Sequence, residues 1–344
     1  MILPLVAYRK LYAALKEHRR VESEIHHLLA DLLEPGYIRP GGLPRRNPLA
    51  YAQRNFFSIL FLSIYRAIGI PAERRLLYGM INHCLRGIVT GADNLLDDEY
   101  KELLPLNFPA EATRFKSVMH ILLFDRILFR IQERFRAQGL LAAGDLSLDS
   151  ALFTAIVPIG AGEAREEGGI KEIIPPAAVL DTVHMYKGGK LLCLSFVAPR
   201  LLEAAQFQDR LTRAGQGIYH IGVALQIIDD LTDVYEDIRA GNHNYLVSSV
   251  FHQGNAAEQR QLQSLLAAKA AGPPIETLFP ATLRQVMARA VGEALLGFAK
   301  LREAGYWLNQ PQAYDLIRYL FVLRGVKQLL PFFPAVAEVL RPAP

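Results

Sequence analysis

Apolar residues recur at three- and four-residue intervals along most of this chain and nowhere alternate for long enough to make a strand. That period belongs to the amphipathic helix, in which residues three and four apart share a face. In order, the pattern predicts helices over 8–33, 49–68, 71–99, 109–138, 146–166, 174–203, 207–239, 256–271 and 280–304, and two or three more from 312 to 340. The breaks carry helix-stopping residues, E-P-G-Y-I-R-P-G-G-L-P-R-R-N-P at 34–48, G-I-P at 69–71 and A-G-N-H-N-Y at 240–245. Pro71 suits the first turn of the helix that follows it. Residues 56–65 are almost wholly apolar, but Arg54 and Arg66 bracket them well short of a membrane span, so they predict a buried core helix. The expected fold is all-α, a single domain over 1–344 built as one bundle of about ten or more helices.

The stretch that asks for chemistry is G-V-A-L-Q-I-I-D-D-L-T-D-V-Y-E-D, 222–237. On a helix Gly222, Gln226, Asp230 and Asp233/Asp237 fall along one stripe, with Asp229 beside it. Carboxylates stacked in this way repel one another, and burial among Leu225, Ile227, Ile228 and Leu231 raises the cost. A cation offsets both penalties, and hard oxygen ligands suit Mg2+, which binds through one or two carboxylates plus substrate phosphates. Alone, the run reads equally well as a solvated acidic helix face. A second acidic constellation, D-N-L-L-D-D-E at 93–99, closes another apolar helix, with Asp93 and Asp97 again four apart. Carboxylates at a helix C-terminus oppose the helix dipole, so stability alone does not explain them. Two such helix ends are expected to form opposite jaws of one site.

Composition narrows the partners. With 344 residues, 51% of them hydrophobic, the chain can bury a large core. The net charge is only +4 and the arginines are scattered, which argues against nucleic acid and suits a few phosphate-bearing small molecules. Cys84 and Cys193 are lone cysteines in predicted helices, expected to be reduced core residues of a cytoplasmic protein. The N-terminal residues lack a basic region, and their apolar run is too short for a secretory signal.

G-x-A-x-Q-x-x-D-D-x-x-D, preceded by a distant D-x-x-x-D, resembles the class I isoprenoid synthases, and the wording is most similar to the trans-polyprenyl diphosphate synthase family. A third match, M-Y-K-G-G-K-L-L at 185–192, is similar to that family's K-T-G-x-L segment. The resemblance implies helices around a central apolar cavity. It also implies a reaction in which an allylic isoprenoid diphosphate is ionised and its cation captured by an alkene acceptor, isopentenyl diphosphate in the elongating enzymes. Asp93, Asp97, Asp98, Asp229, Asp230, Asp233 and Asp237 are then the candidate Mg2+ ligands. Asp93, Asp229, Lys187 and Gln226 are the candidate catalytic groups, with Lys187 first and Lys190 second as diphosphate contacts. Arg54 and Arg86 are further substrate-binding candidates, although a helix-surface or interhelical ion pair is the favoured reading of Arg86. A homodimer is implied by the resemblance alone.

The chain also departs from the family. Tyr100-Lys101-Glu102 stands where an Arg-Arg pair follows the first motif, and Asn94 stands where its second Asp belongs, with Asp98 as a substitute. P-G-G-L-P-R-R-N at 40–47 lacks the Lys of the G-G-K-x-x-R segment that holds the second diphosphate, and Gly241-Asn242 replaces G-K. Two alternatives therefore stay open. One is a terpene cyclase, which needs no second diphosphate. The other is head-to-head coupling of the squalene or phytoene synthase kind, to which D-V-Y-E-D-I-R-A-G-N-H-N-Y-L at 233–246 is similar. A non-catalytic partner subunit fits less well, because both aspartate sets are kept. Ile88 and Val89 lie where the family sets product length, and neither is aromatic, which fits a product of C20 or more. His83 and His184 read as core histidines, and His220 has no Cys/His cluster that would make it a zinc ligand. R-Y-L-F-V-L-R-G-V-K-Q-L-L-P-F-F-P at 318–334 fits three roles: a cover for the site, a subunit contact or a peripheral membrane contact.

Overall fold

The computed structural model describes residues 5–43, 47–96, 100–142, 147–323 and 326–335. In chain order the helices are α1 (Leu5–Leu32), α2 (Pro48–Arg54), α3 (Phe56–Ile68), α4 (Ala72–Leu96), α5 (Thr113–Ala137), α6 (Ser147–Ala164), α7 (Pro176–Val179), α8 (Leu191–Cys193) and α9 (Val197–Leu202). They continue as α10 (Ala205–Thr232), α11 (Val234–Ala240), α12 (Tyr245–Gln253), α13 (Ala256–Ala268), α14 (Ile275–Leu278), α15 (Pro280–Glu303) and α16 (Gln310–Leu323). A π-helix, Leu180–Lys190, joins α7 to α8. Among the described residues there is no strand, only an antiparallel bridge between Ile38 and Leu106. The all-α expectation holds.

The helices depart from the hydrophobic period in several places, and at one of them, Asn55, a side chain competes with the main chain. The helix expected over 49–68 is two, α2 and α3, meeting at Asn55. The Asn55 side chain donates to Tyr51 O at 3.2 Å and accepts from Arg86 Nη1 at 2.7 Å. The helix expected over 207–239 breaks at Asp233, whose φ of −105° and ψ of 10° are not helical. Asp233 N–H still reaches Asp229 O at 3.0 Å and its carbonyl still accepts from Asp237 at 2.8 Å, so the succession of carboxylates survives the break. The segment 174–203 is a composite of α7, the π-helix, α8, a 3-10 turn and α9. α12 begins where only a helix stop was expected, capped by Asn244, whose side chain accepts from Val247 N–H.

The chain divides into two compact units. The first runs to Ala151 and adds Ser195–Gln208; the second comprises Leu152–Leu194 and everything from Asp209 onward. In the first, α4 packs along α5, α1 and α3, and α9 lies against α4. Tyr65, Tyr78, Phe124 and Phe196 are buried there, and the Tyr65 ring meets Phe196 and Tyr78 edge-on at 5.5 and 6.0 Å. Buried tyrosines need a partner for the hydroxyl. Tyr78 donates to Glu203 Oε1 at 2.7 Å, and Tyr65 donates to Ser195 O. In the second unit α15 packs on α12, α14 and α16, over a core including Phe279, Leu283, Val291 and Phe321.

Candidate active site

In the first unit, α1, α2 and the turn at Gly41–Leu43 enclose a cavity of about 460 Å3. Arg19, Glu22, Tyr51, Arg54, Asn55 and His83 are among the side chains that line it. Tyr51 donates to Glu22 Oε2 at 2.6 Å, and its oxygen lies 2.7 Å from His18 Nδ1, which makes that nitrogen the donor of the pair. Burial, with smaller help from Arg86, lowers the His18 pKa to about 3. Burial raises the Glu22 carboxyl above its ordinary range, against the pull of Tyr51, Arg86, Arg54 and Arg19. Arg54 faces this cavity and donates to Glu102 O. Arg86 stands behind it, donating to Asn55 Oδ1 and to Arg54 O at 3.1 Å, and burial followed by Arg54 lowers its pKa to about 10. Arg86 therefore orients two of the lining residues.

The first acidic motif begins in the last turn of α4. Asp93 is half-buried there, while Asp97 and Asp98 lie outside the described residues. Asn94 is buried, and its amide clamps the following loop, accepting from Lys101 N–H at 2.9 Å and donating to Lys101 O at 3.2 Å. An aspartate has no donor for the second bond, which accounts for the departure at this position.

In the second unit the Gly222–Asp237 stretch separates into inward and outward carboxylates. Asp230 is buried, and it accepts from Tyr245 N–H at 2.6 Å, from His184 Nε2 at 2.9 Å and from Gln226 Nε2 at 3.2 Å. Asp233 is exposed and Asp229 half-buried. Asp237 accepts from Asn244 at 2.7 Å and from Asn242 at 3.3 Å. Its pKa rises to about 7, through burial first and then repulsion by Asp230 and Asp233, against those two amide donors. Gln226, expected to orient a ligand or a neighbouring Asp, orients Asp230.

Gly222 has a packing role. A Cβ there would lie 2.2 Å from Gly188 O, and one at Gly188 would meet Gly222 O at the same distance, so π-helix and α10 touch backbone to backbone. This contact presents the K-G-G-K segment. His184 points inward to Asp230, Lys187 Nζ lies 2.8 Å from Glu163 Oε2 and also bonds Glu166, and Lys190 lies exposed over the Tyr186 ring at 4.5 Å. His220 pairs with Glu293 at 2.7 Å.

Among the described residues no three His, Cys, Asp or Glu side chains converge as a ready-made metal cage. Mg2+ does not require one, because water and phosphate oxygens complete its shell. The donor set fits it, as these are hard carboxylate oxygens, and a cation offsets both the burial and the repulsion from Asp230 and Asp233 that raise Asp237. Reading the sequence alone missed Glu22, Tyr51, Glu163, Glu166 and Asn244. Only the first left a legible trace: His18, Glu22 and His26 recur every four residues, a polar stripe along α1.

This architecture is the all-α isoprenoid synthase fold in the form found in trans-polyprenyl diphosphate synthases. The chain is similar to a decaprenyl diphosphate synthase from Rhodobacter capsulatus, with a TM-score of 0.62 and 15% identity, over 92% of this chain and 98% of that one. It is also similar to a geranylgeranyl pyrophosphate synthetase from Pyrococcus horikoshii, with a TM-score of 0.57 and 16% identity, over 91% and 98% of the two chains. The octaprenyl pyrophosphate synthase of Helicobacter pylori matches with a TM-score of 0.55 and 16% identity over the same shares. No protein-family model matches the sequence, and no curated protein matches it.

Proposed function

We propose that this protein is a Mg2+-dependent prenyltransferase of the polyprenyl diphosphate synthase type, which ionises an allylic diphosphate and couples the cation to isopentenyl diphosphate. The observation that carries the reading is the gathering of Asp230, Asp233 and Asp237 where α10 meets α11, on a helix pair of this fold; burial first, and then repulsion by Asp230 and Asp233, raises Asp237 to about 7. Bound Mg2+ supplies the Lewis acidity that helps pyrophosphate depart. Asp93 and Asp97 in the first motif, and Asp229 and Asp233 in the second, are the proposed ligands, with Asp98 and Asp237 as reserves. Asp230 serves them by fixing the end of α10. Lys187 places a positive charge on the diphosphate, which stabilises the leaving group. Lys190, exposed over Tyr186, is the secondary contact.

Arg19 and Arg54 in the cavity of the first unit support a second diphosphate, and hence elongation. Leu43 stands where the resemblance expects a lysine, which favours the cyclase alternative and makes the acceptor the open question. Half-buried Ile88 and Val89 support a product of C20 or more. A homodimer is part of the proposal, supported by α5, where Phe115, Val118, Leu122 and Phe129 are 51%, 41%, 56% and 43% exposed at helical spacing. Cytoplasmic location is proposed as well; among the described residues no helix is long and apolar enough to cross a membrane. In 318–334, Phe321 and Leu329 are buried and Phe333 packs on Tyr314, while Tyr319 and Val322 stay exposed for a peripheral contact.

Replacing Asp93 or Asp229 by Ala tests the metal roles. Each change should slow pyrophosphate release from an allylic diphosphate by on the order of a hundredfold or more, since each removes part of a several-kcal/mol charge stabilisation. Full activity in either variant excludes that residue from the metal site.

A further inference from the structure

Lys187 is held between two carboxylates with very different surroundings. Glu163, on the last turn of α6, has 36% of its side chain exposed and lies 2.8 Å from Lys187 Nζ through Oε2. Glu166, in the turn that follows, has only 7% of its side chain exposed and also bonds Lys187 through Oε2. The other oxygen of Glu166 accepts from His243 N–H at 3.2 Å, in the loop behind the second acidic motif. The same two segments are joined again by Ile170 N–H donating to Gly241 O at 2.7 Å. Burial opposes the charge on Lys187, and Glu163 and Glu166 more than offset it, so the ammonium is held above its ordinary range.

With one cation and two carboxylates, this triad is one charge too negative to receive a diphosphate as it stands. The two glutamates differ in what it costs to leave. Moving Glu166 away strands a buried carboxylate and leaves the His243 N–H without this acceptor, and both changes are strongly unfavourable. Glu163 can turn into water at little cost, because more than a third of its side chain already faces solvent. We propose that Glu166 is a positioning residue that fixes Lys187 against the loop after the second acidic motif, while Glu163 is a displaceable counter-ion that an incoming diphosphate replaces on Lys187. This rests on the assignment of Lys187 to the diphosphate. The two carboxylates then act with opposite sign, a difference that neither the motif nor a general stabilising role supplies.

Calorimetric titration of the full chain with inorganic pyrophosphate and Mg2+ tests it. Glu163→Gln should bind about threefold tighter than the parent, because the competitor has lost its charge. Glu166→Gln should bind at least tenfold weaker, with Glu166→Asp recovering part of the loss, and Lys187→Gln should bind at least tenfold weaker. Thermal melting identifies any variant that has not folded; Glu163→Gln, on the surface, tests the sign even where Glu166→Gln fails. Weakened binding in Lys187→Gln, with Glu163→Gln and Glu166→Gln shifted in the same direction or not at all, overturns the proposal alone. Unchanged binding in Lys187→Gln removes Lys187 from the diphosphate site, and the proposal falls with that assignment.

Discussion

Asp229 and Asp230 are neighbours in sequence with opposite environments. Asp230 is sunk in the unit with three donors around it, and Asp229 is half-buried on the adjoining face. An Asp-Asp doublet read as two metal ligands is thus one proposed ligand and one anchor, and the anchor sets the backbone from which Asp233 and Asp237 project. The buried His18 leads to a prediction about pH. Its folded pKa of about 3 lies below its unfolded value of 6.5, so the unfolded chain binds the extra proton between those limits. Stability contributed by neutral His18 is complete above pH 6.5 and is lost as pH falls toward 3, at up to about 1.4 kcal/mol per pH unit. Urea unfolding from pH 7 to pH 4.5 should show this slope. His18→Gln keeps a donor for Tyr51 and cannot titrate, so it should flatten the slope; an unchanged slope removes His18 as its source. Burial lowers His83 in the same direction, so part of the slope will remain.

At the scale of elements, the backbone contact between the π-helix and α10 decides how the K-G-G-K segment is displayed. Gly222→Val puts a branched side chain where even a Cβ would sit 2.2 Å from Gly188 O. Main chains on both sides must then separate, at about 1–3 kcal/mol or more. A lower melting temperature and weaker pyrophosphate binding should appear together, because Lys187 lies one residue before Gly188. Wild-type behaviour in both would mean that the two elements do not need this contact. Most helices were legible in the sequence because a 3.6-residue apolar period over a dozen or more residues has few other meanings. The breaks at Asn55 and Asp233 were not, because apolar spacing registers neither the Asn55 side chain competing for Tyr51 O nor the local turn of the backbone at Asp233. The π-helix was hidden as well, because its residues read as an ordinary helix. The acidic stretch was visible as a motif, yet the inward turn of Asp230 depends on His184 and Tyr245, distant residues no local pattern connects to it.

For the whole molecule, a similar fold at 15–16% identity is what helix packing allows, because period and volume can be kept while most side chains change. The exposed apolar stripe on α5 is unusual for a surface without a partner. Light scattering should give a dimer mass, and Leu122→Glu, at the centre of the stripe, should shift it toward monomer; an unchanged mass moves the interface elsewhere. The catalytic reading is tested most directly by incubating the protein with farnesyl or geranylgeranyl diphosphate and Mg2+, with and without isopentenyl diphosphate, and separating the products by chain length. Prenyl diphosphates of C20 or more, formed only when isopentenyl diphosphate is present, are the predicted result. Hydrocarbon released from the allylic substrate alone, a hydrocarbon joined from two identical molecules, or no turnover of either substrate would contradict it.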